Sequence, residues 1–217
     1  MSLVCYSKKN FAKEFFTQPG VTIRMHQNAK HPKVDRRAEL LKVSREIMAE
    51  KGYEATTVSE IVAKAGVAQG TFYWYFPSKA SIVKTLTIEM QNEVQAALMH
   101  VFTEPRPIEQ KIERSIKEIF GILSTYRDVL ALTHLVESAS ENELVFEPYH
   151  RLISELLRYE QTQGTINSSI DPAISATLIV GTVYYATLQC YLYNSPLSIE
   201  HFIEETARFV CRALGID

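Results

Sequence analysis

Gln69, Thr71, Tyr73, Trp74 and Tyr75 place an amide, a hydroxyl and three aromatic rings with polar tips within seven positions. Groups of these types suit hydrogen bonding to nucleic-acid base edges and phosphates. The Gln69 amide can address adenine through two hydrogen bonds, and Thr71 offers a hydroxyl to a base edge or a methyl to thymine. Gly70 lets the backbone come close to a partner where any Cβ would hold it away. At 100° per residue on a helix, Phe72 and Phe76 point to one side, and Gly70, Thr71 and Trp74 to the other. The two phenylalanines therefore read as core. Tyr73 and Tyr75 flank the exposed side, where their hydroxyls would touch phosphates and set register rather than sequence. Trp74 fits core and surface equally well.

Short helices must carry these groups. Val58, Ile61, Val62 and Ala65 fall at i, i+3, i+4 and i+7, one apolar stripe. Thr57 with Glu60 three residues later is a capping box, and Gly66 stands where a helix end needs left-handed backbone. A second helix is expected from about Gln69 to Phe76, closed by Pro77-Ser78. The first helix is expected from about Val34 to Lys51, packing across the pair with Leu40, Leu41, Val43, Ile47 and Met48. Two short helices joined by a tight Gly-containing turn place the second in a major groove. Ser78 would cap a long fourth helix, whose first residue, Lys79, sits where exposed N–H groups favour a phosphate. Arg36 and Arg37 are further phosphate candidates, and Thr57 could reach one besides capping its helix.

Gly52-Tyr53, Thr56-Thr57-Val58, Ala65-Gly66-Val67, Gly70-Thr71-Phe72-Tyr73-Trp74-Tyr75-Phe76 and Ser78-Lys79 together resemble the TetR family of bacterial one-component regulators. The resemblance covers residues 34–86, with Tyr75 where many members carry His. It implies that positions matching Gln69, Thr71, Tyr73, Trp74, Tyr75 and Lys79 touch DNA. It also implies a ligand-responsive repressor that binds a palindromic double-stranded DNA operator as a homodimer and is released by an effector. The rest of the chain resembles the family in length, helical pattern and a late uncharged helix.

Few alternating β patterns and only 8 Gly and 8 Pro in 217 residues favour an all-α fold. The net charge of −2 hides a split: residues 1–80 carry 13 Lys/Arg against 7 Asp/Glu, residues 81–217 carry 10 against 18. A basic front and an acidic back suit DNA at one end only. Three cysteines, Cys5, Cys190 and Cys211, without C-x-x-C spacing fit reduced thiols in a cytoplasm. The six histidines show no metal-ligand pairing, so no metal or cofactor is expected. No Gly-rich phosphate loop or G-x-S-x-G elbow points to an enzyme.

Three segments are expected. Residues 1–33 form a basic leader: a disordered extension, vector or upstream codons before a natural start at Met25, or an arm along DNA. Residues 34–80 form the helix-turn-helix domain, and residues 81–217 a larger helical domain for effector binding and dimerisation. In the last of these, helices are expected near 79–102, 107–125, 127–138, 142–163, 171–194 and 198–214, with Asp171-Pro172 a strong start signal. Residues 172–199 carry no charge. The run is long enough for a membrane span, but its hydroxyl and amide groups favour a buried interface helix and no membrane. Ile179, Val183, Ala186, Phe202, Phe209 and Val210 are expected at a dimer interface, with a purely intrachain core as the alternative. Phe120, Tyr126, His134, Phe146, Tyr149, Tyr184 and Tyr185 are candidates to line a mostly apolar pocket for a hydrophobic or aromatic small molecule. Ordinary core packing explains each of them as well. A competing function is a DNA-anchored protein that recruits another through acidic residues Glu137, Glu141, Glu143 and Glu147.

Overall fold

The capping signals around Thr57 produce the expected local structure. In the computed structural model, which describes residues 35–136, 146–193 and 195–216, the Thr57 side chain accepts the Glu60 N–H at 3.3 Å. The Glu60 carboxylate accepts the Thr57 N–H in return, at 2.9 Å. The helix so started ends at Gly66, whose φ of 63° is left-handed backbone that glycine adopts without a Cβ penalty. Lys51 and Thr57 hold the Glu60 carboxyl down at about 2, so the cap stays charged across the physiological range.

Nine helices occupy the described residues: α1 Arg36–Lys51, α2 Val58–Ala65, α3 Gln69–Tyr75, α4 Lys79–Thr103, α5 Ile108–Thr125, α6 Arg127–Val136, α7 Glu147–Thr162, α8 Pro172–Tyr191 and α9 Ile199–Ala213. No strand appears among these residues. The chain is all-α. Leu40, Leu41, Val43, Ile47 and Met48 line the inner side of α1 and meet Ile61, Val62, Phe72 and Phe76 in one small core. Val58, the first residue of the α2 stripe, is only half-buried.

Ser78 caps α4 through the Ser81 N–H, and this 25-residue helix runs from the small core into the larger helical layer. There α4 packs on α5, α7 on α8, and α9 on both α5 and α8. Asp171 starts α8 by accepting the N–H groups of Ala173 and Ile174, with Pro172 in the first turn, where its missing donor costs nothing. Among the described residues α8 is the one helix long and apolar enough to cross a bilayer, and a third of that stretch is buried inside the fold. The leader, residues 1–33, and the acidic positions Glu137, Glu141 and Glu143 lie outside the described residues.

Candidate nucleic-acid interface and effector cavity

Phe72 is fully buried and Phe76 is 2% exposed, so α3 is anchored by its two phenylalanines as its periodicity requires. The opposite face is open. Trp74 is 77% exposed and Tyr73 50%, with Gln69 and Gly70 also at the surface and Thr71 and Tyr75 half-buried beside them. Trp74 stacks edge-on to Tyr75 at 4.4 Å between centroids, which braces two large side chains on the exposed side. Arg36 is exposed, while Arg37 lies 5.4 Å over the Phe76 ring and within 3.9 Å of Glu89.

Among the described residues, apart from the helix's own backbone and the adjacent residues, nothing lies within 4 Å of a Cβ built on Gly70. The position therefore has no packing reason to be glycine, and an external surface is what its bare backbone would fit. Gly70→Ala should raise the stability of the free protein by about 0.5–1 kcal/mol, from helix propensity. The same substitution should weaken operator binding. Thermal unfolding and DNA titration of one preparation check both signs.

Lys79 has intrachain partners besides the phosphate expected of it. Its ammonium donates to the carbonyls of Tyr53 and Thr56, at 2.5 and 3.0 Å, and lies 4.1 Å over the Tyr53 ring. The α1–α2 loop turns these carbonyl oxygens toward it, the Tyr53 carbonyl also accepting the Thr56 N–H at 3.2 Å. Lys79 thus pins that loop to the start of α4. Thr57 is likewise committed to its cap.

A second feature lies behind the small core. A cavity of about 110 Å³ lies between α4–α9 and is partly open, lined by aliphatic and aromatic side chains including Met90, Leu123, Leu130, Ile153, Ile179 and Val183. Phe146, Tyr149 and Tyr184 line it as expected, with the Phe146 and Tyr184 rings edge-on at 4.6 Å. Phe120, Tyr126 and Tyr185 do not. Phe120 is buried against Tyr191, whose hydroxyl donates to the Phe120 carbonyl at 2.7 Å. Tyr185 faces outward, and the His134 side chain lies outside the described residues.

The interface residues on α8 also need correcting. Ile179 and Val183 line the cavity together with Val210 of α9, and Ala186 is buried. The outward face of α8 instead carries Ile174, Leu178, Gly181 and Tyr185, at spacings of four, three and four residues. Phe209 on α9 is 59% exposed and Phe202 is half-buried, so these two keep an outward position. Cys190 and Cys211 are free thiols, pushed up by burial. Among the described residues no cluster of His, Cys, Asp or Glu could hold a metal.

One contact had no sequence signal. Arg45 on α1 donates from Nε and Nη2 to the two carboxylate oxygens of Asp128 on α6, at 2.7 and 2.9 Å. It also donates to the Thr125 carbonyl and lies 4.6 Å over the Tyr126 ring. Tyr126 in turn donates to Glu93 of α4 at 3.0 Å, and burial with that bond pushes its phenol up to about 12. Side-on arginine–carboxylate pairing fixes orientation as well as distance. The three-helix unit is thereby tied to the corner between α5 and α6.

Comparison with known proteins agrees with this geometry. Residues 40–86 match the family model for bacterial regulatory proteins of the tetR family, and residues 112–214 match the tetracyclin repressor-like C-terminal domain. The two matches together span more than half of the chain. The chain belongs to the TetR family. TetR-family relatives include the uncharacterized HTH-type transcriptional regulator YvdT of Bacillus subtilis, 23% identical over 82% of this chain and 94% of its own length. The fatty acid metabolism regulator protein of the same organism is 26% identical over 67% of this chain and 78% of its own. A crystal structure of the regulator FadR from Bacillus subtilis, in complex with stearoyl-CoA, superposes with a TM-score of 0.69 at 22% identity. That match covers 80% of this chain and 96% of the other. As a TetR-family protein, this chain is a ligand-responsive DNA-binding transcriptional regulator.

Proposed function

We propose that the protein is a repressor that binds a palindromic operator as a homodimer in the cytoplasm, and that an effector in the α4–α9 cavity releases it. The observation that carries this reading is the exposed face of α3. Gln69, Gly70, Tyr73 and Trp74 stand at the surface over a fully buried Phe72. Gln69 and Thr71 would read base edges, Tyr73, Tyr75 and Arg36 would hold phosphates, and Gly70 would admit the DNA backbone. Residues 34–80 act as the reading unit and residues 81–217 as the effector and dimer domain.

One such unit makes few base contacts, so specificity calls for two, about 34–36 Å apart in successive major grooves. A second copy of the chain would cover the apolar stripe of Ile174, Leu178 and Tyr185 with Phe209, exposed by 62%, 65%, 59% and 59%. Gly181 in the middle of the stripe would let the twin helix approach closely. Paired α8 and α9 would then form a four-helix bundle. An aliphatic and aromatic lining favours an effector with an apolar body, and the fatty acid metabolism regulator and the stearoyl-CoA complex among the relatives support an acyl chain.

Leu178→Arg tests the assembly. The variant should elute as a monomer where the wild type elutes as a dimer, and its operator affinity should fall by about a hundredfold or more, as loss of one half-site implies. A wild-type monomer that binds a palindrome as tightly as the variant does would refute the dimer.

A further inference from the structure

The cavity lining is apolar almost throughout, which makes its polar atoms informative. Ser115 of α5 lines it, is 5% exposed, and its Oγ has no hydrogen-bond partner. Native folds rarely leave a buried hydroxyl in that condition, because the desolvated group loses water and gains nothing. Tyr149 of α7 also lines the cavity, and its phenol bonds to none of the described residues. Burial pushes that phenol well above its usual range, so it remains a neutral hydroxyl able to donate. Ser154, the other orphaned hydroxyl among the described residues, lies on α7 but outside the lining.

Among the described residues the lining offers a charged effector group no counterpart. The buried Lys111, one turn before Ser115, already donates to Glu160 at 2.8 Å. Glu160 is completed by Thr165 at 2.7 Å. A carboxylate brought into the cavity would lose its water without gaining a cation.

We infer that Ser115 and Tyr149 are the specificity anchors of the cavity, and that the bound portion of its ligand is an uncharged apolar chain or ring bearing a carbonyl or hydroxyl oxygen. This rests on the cavity being the effector site. Any charged portion of the same molecule stays outside the lining. Ser115 and Tyr149 would donate to a ligand oxygen, or accept from it if it is a hydroxyl, and Ser115 would so gain the partner it lacks in the free protein.

An eight-carbon series tests the inference on the full chain: n-octane, 2-octanone, 1-octanol and octanoate, each measured by displacement of an apolar fluorophore at pH 8. The ketone or the alcohol should bind about five- to tenfold more tightly than octane, the span of one net hydrogen bond, and octanoate should bind most weakly. Ser115→Ala and Tyr149→Phe should each shrink that ratio while leaving octane within about twofold, since neither removes apolar lining. Tightest binding by octanoate, or an oxygen preference that survives both substitutions, would overturn the inference while leaving the cavity as the site. Binding of the whole series that persists in Val183→Phe, with its helical spectrum intact, would locate the probes elsewhere. That result, or no binding by any of the four, would remove the effector reading and this inference with it.

Discussion

Replacing Arg45 by Ala should collapse the coupling between effector and operator while leaving each binding event largely intact. Arg45 belongs to the three-helix unit, but its partners Thr125, Tyr126 and Asp128 form the corner between α5 and α6. Two residues to either side of that corner, Leu123 and Leu130 line the cavity. Glu93, which holds Tyr126, is flanked on α4 by the lining residues Met90 and Val94. A ligand that pushes on this lining moves the atoms that grip Arg45. The guanidinium is protonated throughout the physiological range in any case, and hydrogen bonding to Asp128, with the charge of Asp128, raises its pKa further against the burial that would lower it.

Allosteric coupling typically amounts to about 1–3 kcal/mol, or roughly 5- to 150-fold in affinity. In Arg45→Ala the ratio of operator affinities with and without saturating cavity ligand should fall to about 1, because a ligand shifts only what its contacts distinguish. Asp128→Asn keeps shape and one acceptor but not the charge, and should lose part of the coupling. Ligand affinity measured without DNA should stay within about threefold, since neither residue lines the cavity. An unchanged operator ratio in Arg45→Ala would show that the signal travels along α4 alone.

The reading unit was legible because its signals are local. Thr57 with Glu60, Gly66, and Phe72 with Phe76 act within one or two turns, and their spacing dictates both helix ends and the inner face. The back of the molecule offered no such guidance. Helix α8 is apolar on every side, so periodicity cannot separate the cavity face of Ile179 and Val183 from the outward face of Ile174, Leu178 and Tyr185. The intrachain acceptors of Lys79 were not legible, because they lie 23 and 26 residues earlier in the chain. Arg45 and Asp128 are separated by 83 positions and Lys111 and Glu160 by 49. Only the folded helices bring such pairs together.

Glu160→Gln should cost about 3–5 kcal/mol of unfolding free energy, the effect of leaving one member of a buried ion pair without its partner. The Lys111 and Glu160 side chains are 6% and 3% exposed, so neither charge recovers water when the other is removed. The pair joins the first turns of α5 to the last turn of α7, and Thr165 and the Phe102 ring complete its surroundings. Lys111→Met alone should cost a similar amount, because it strands the Glu160 carboxylate beside a single hydroxyl donor. The double variant Lys111→Met/Glu160→Leu should recover most of the loss, since removing both charges also removes both desolvation penalties. Denaturant unfolding at one fixed protomer concentration reads this cycle, because association would otherwise shift apparent stability. Single variants within about 1 kcal/mol of wild type would mean that water reaches the pair and that its burial is not what holds α5 to α7. Recovery in the double variant, by contrast, would leave the pair contributing orientation between the two helices rather than net stability.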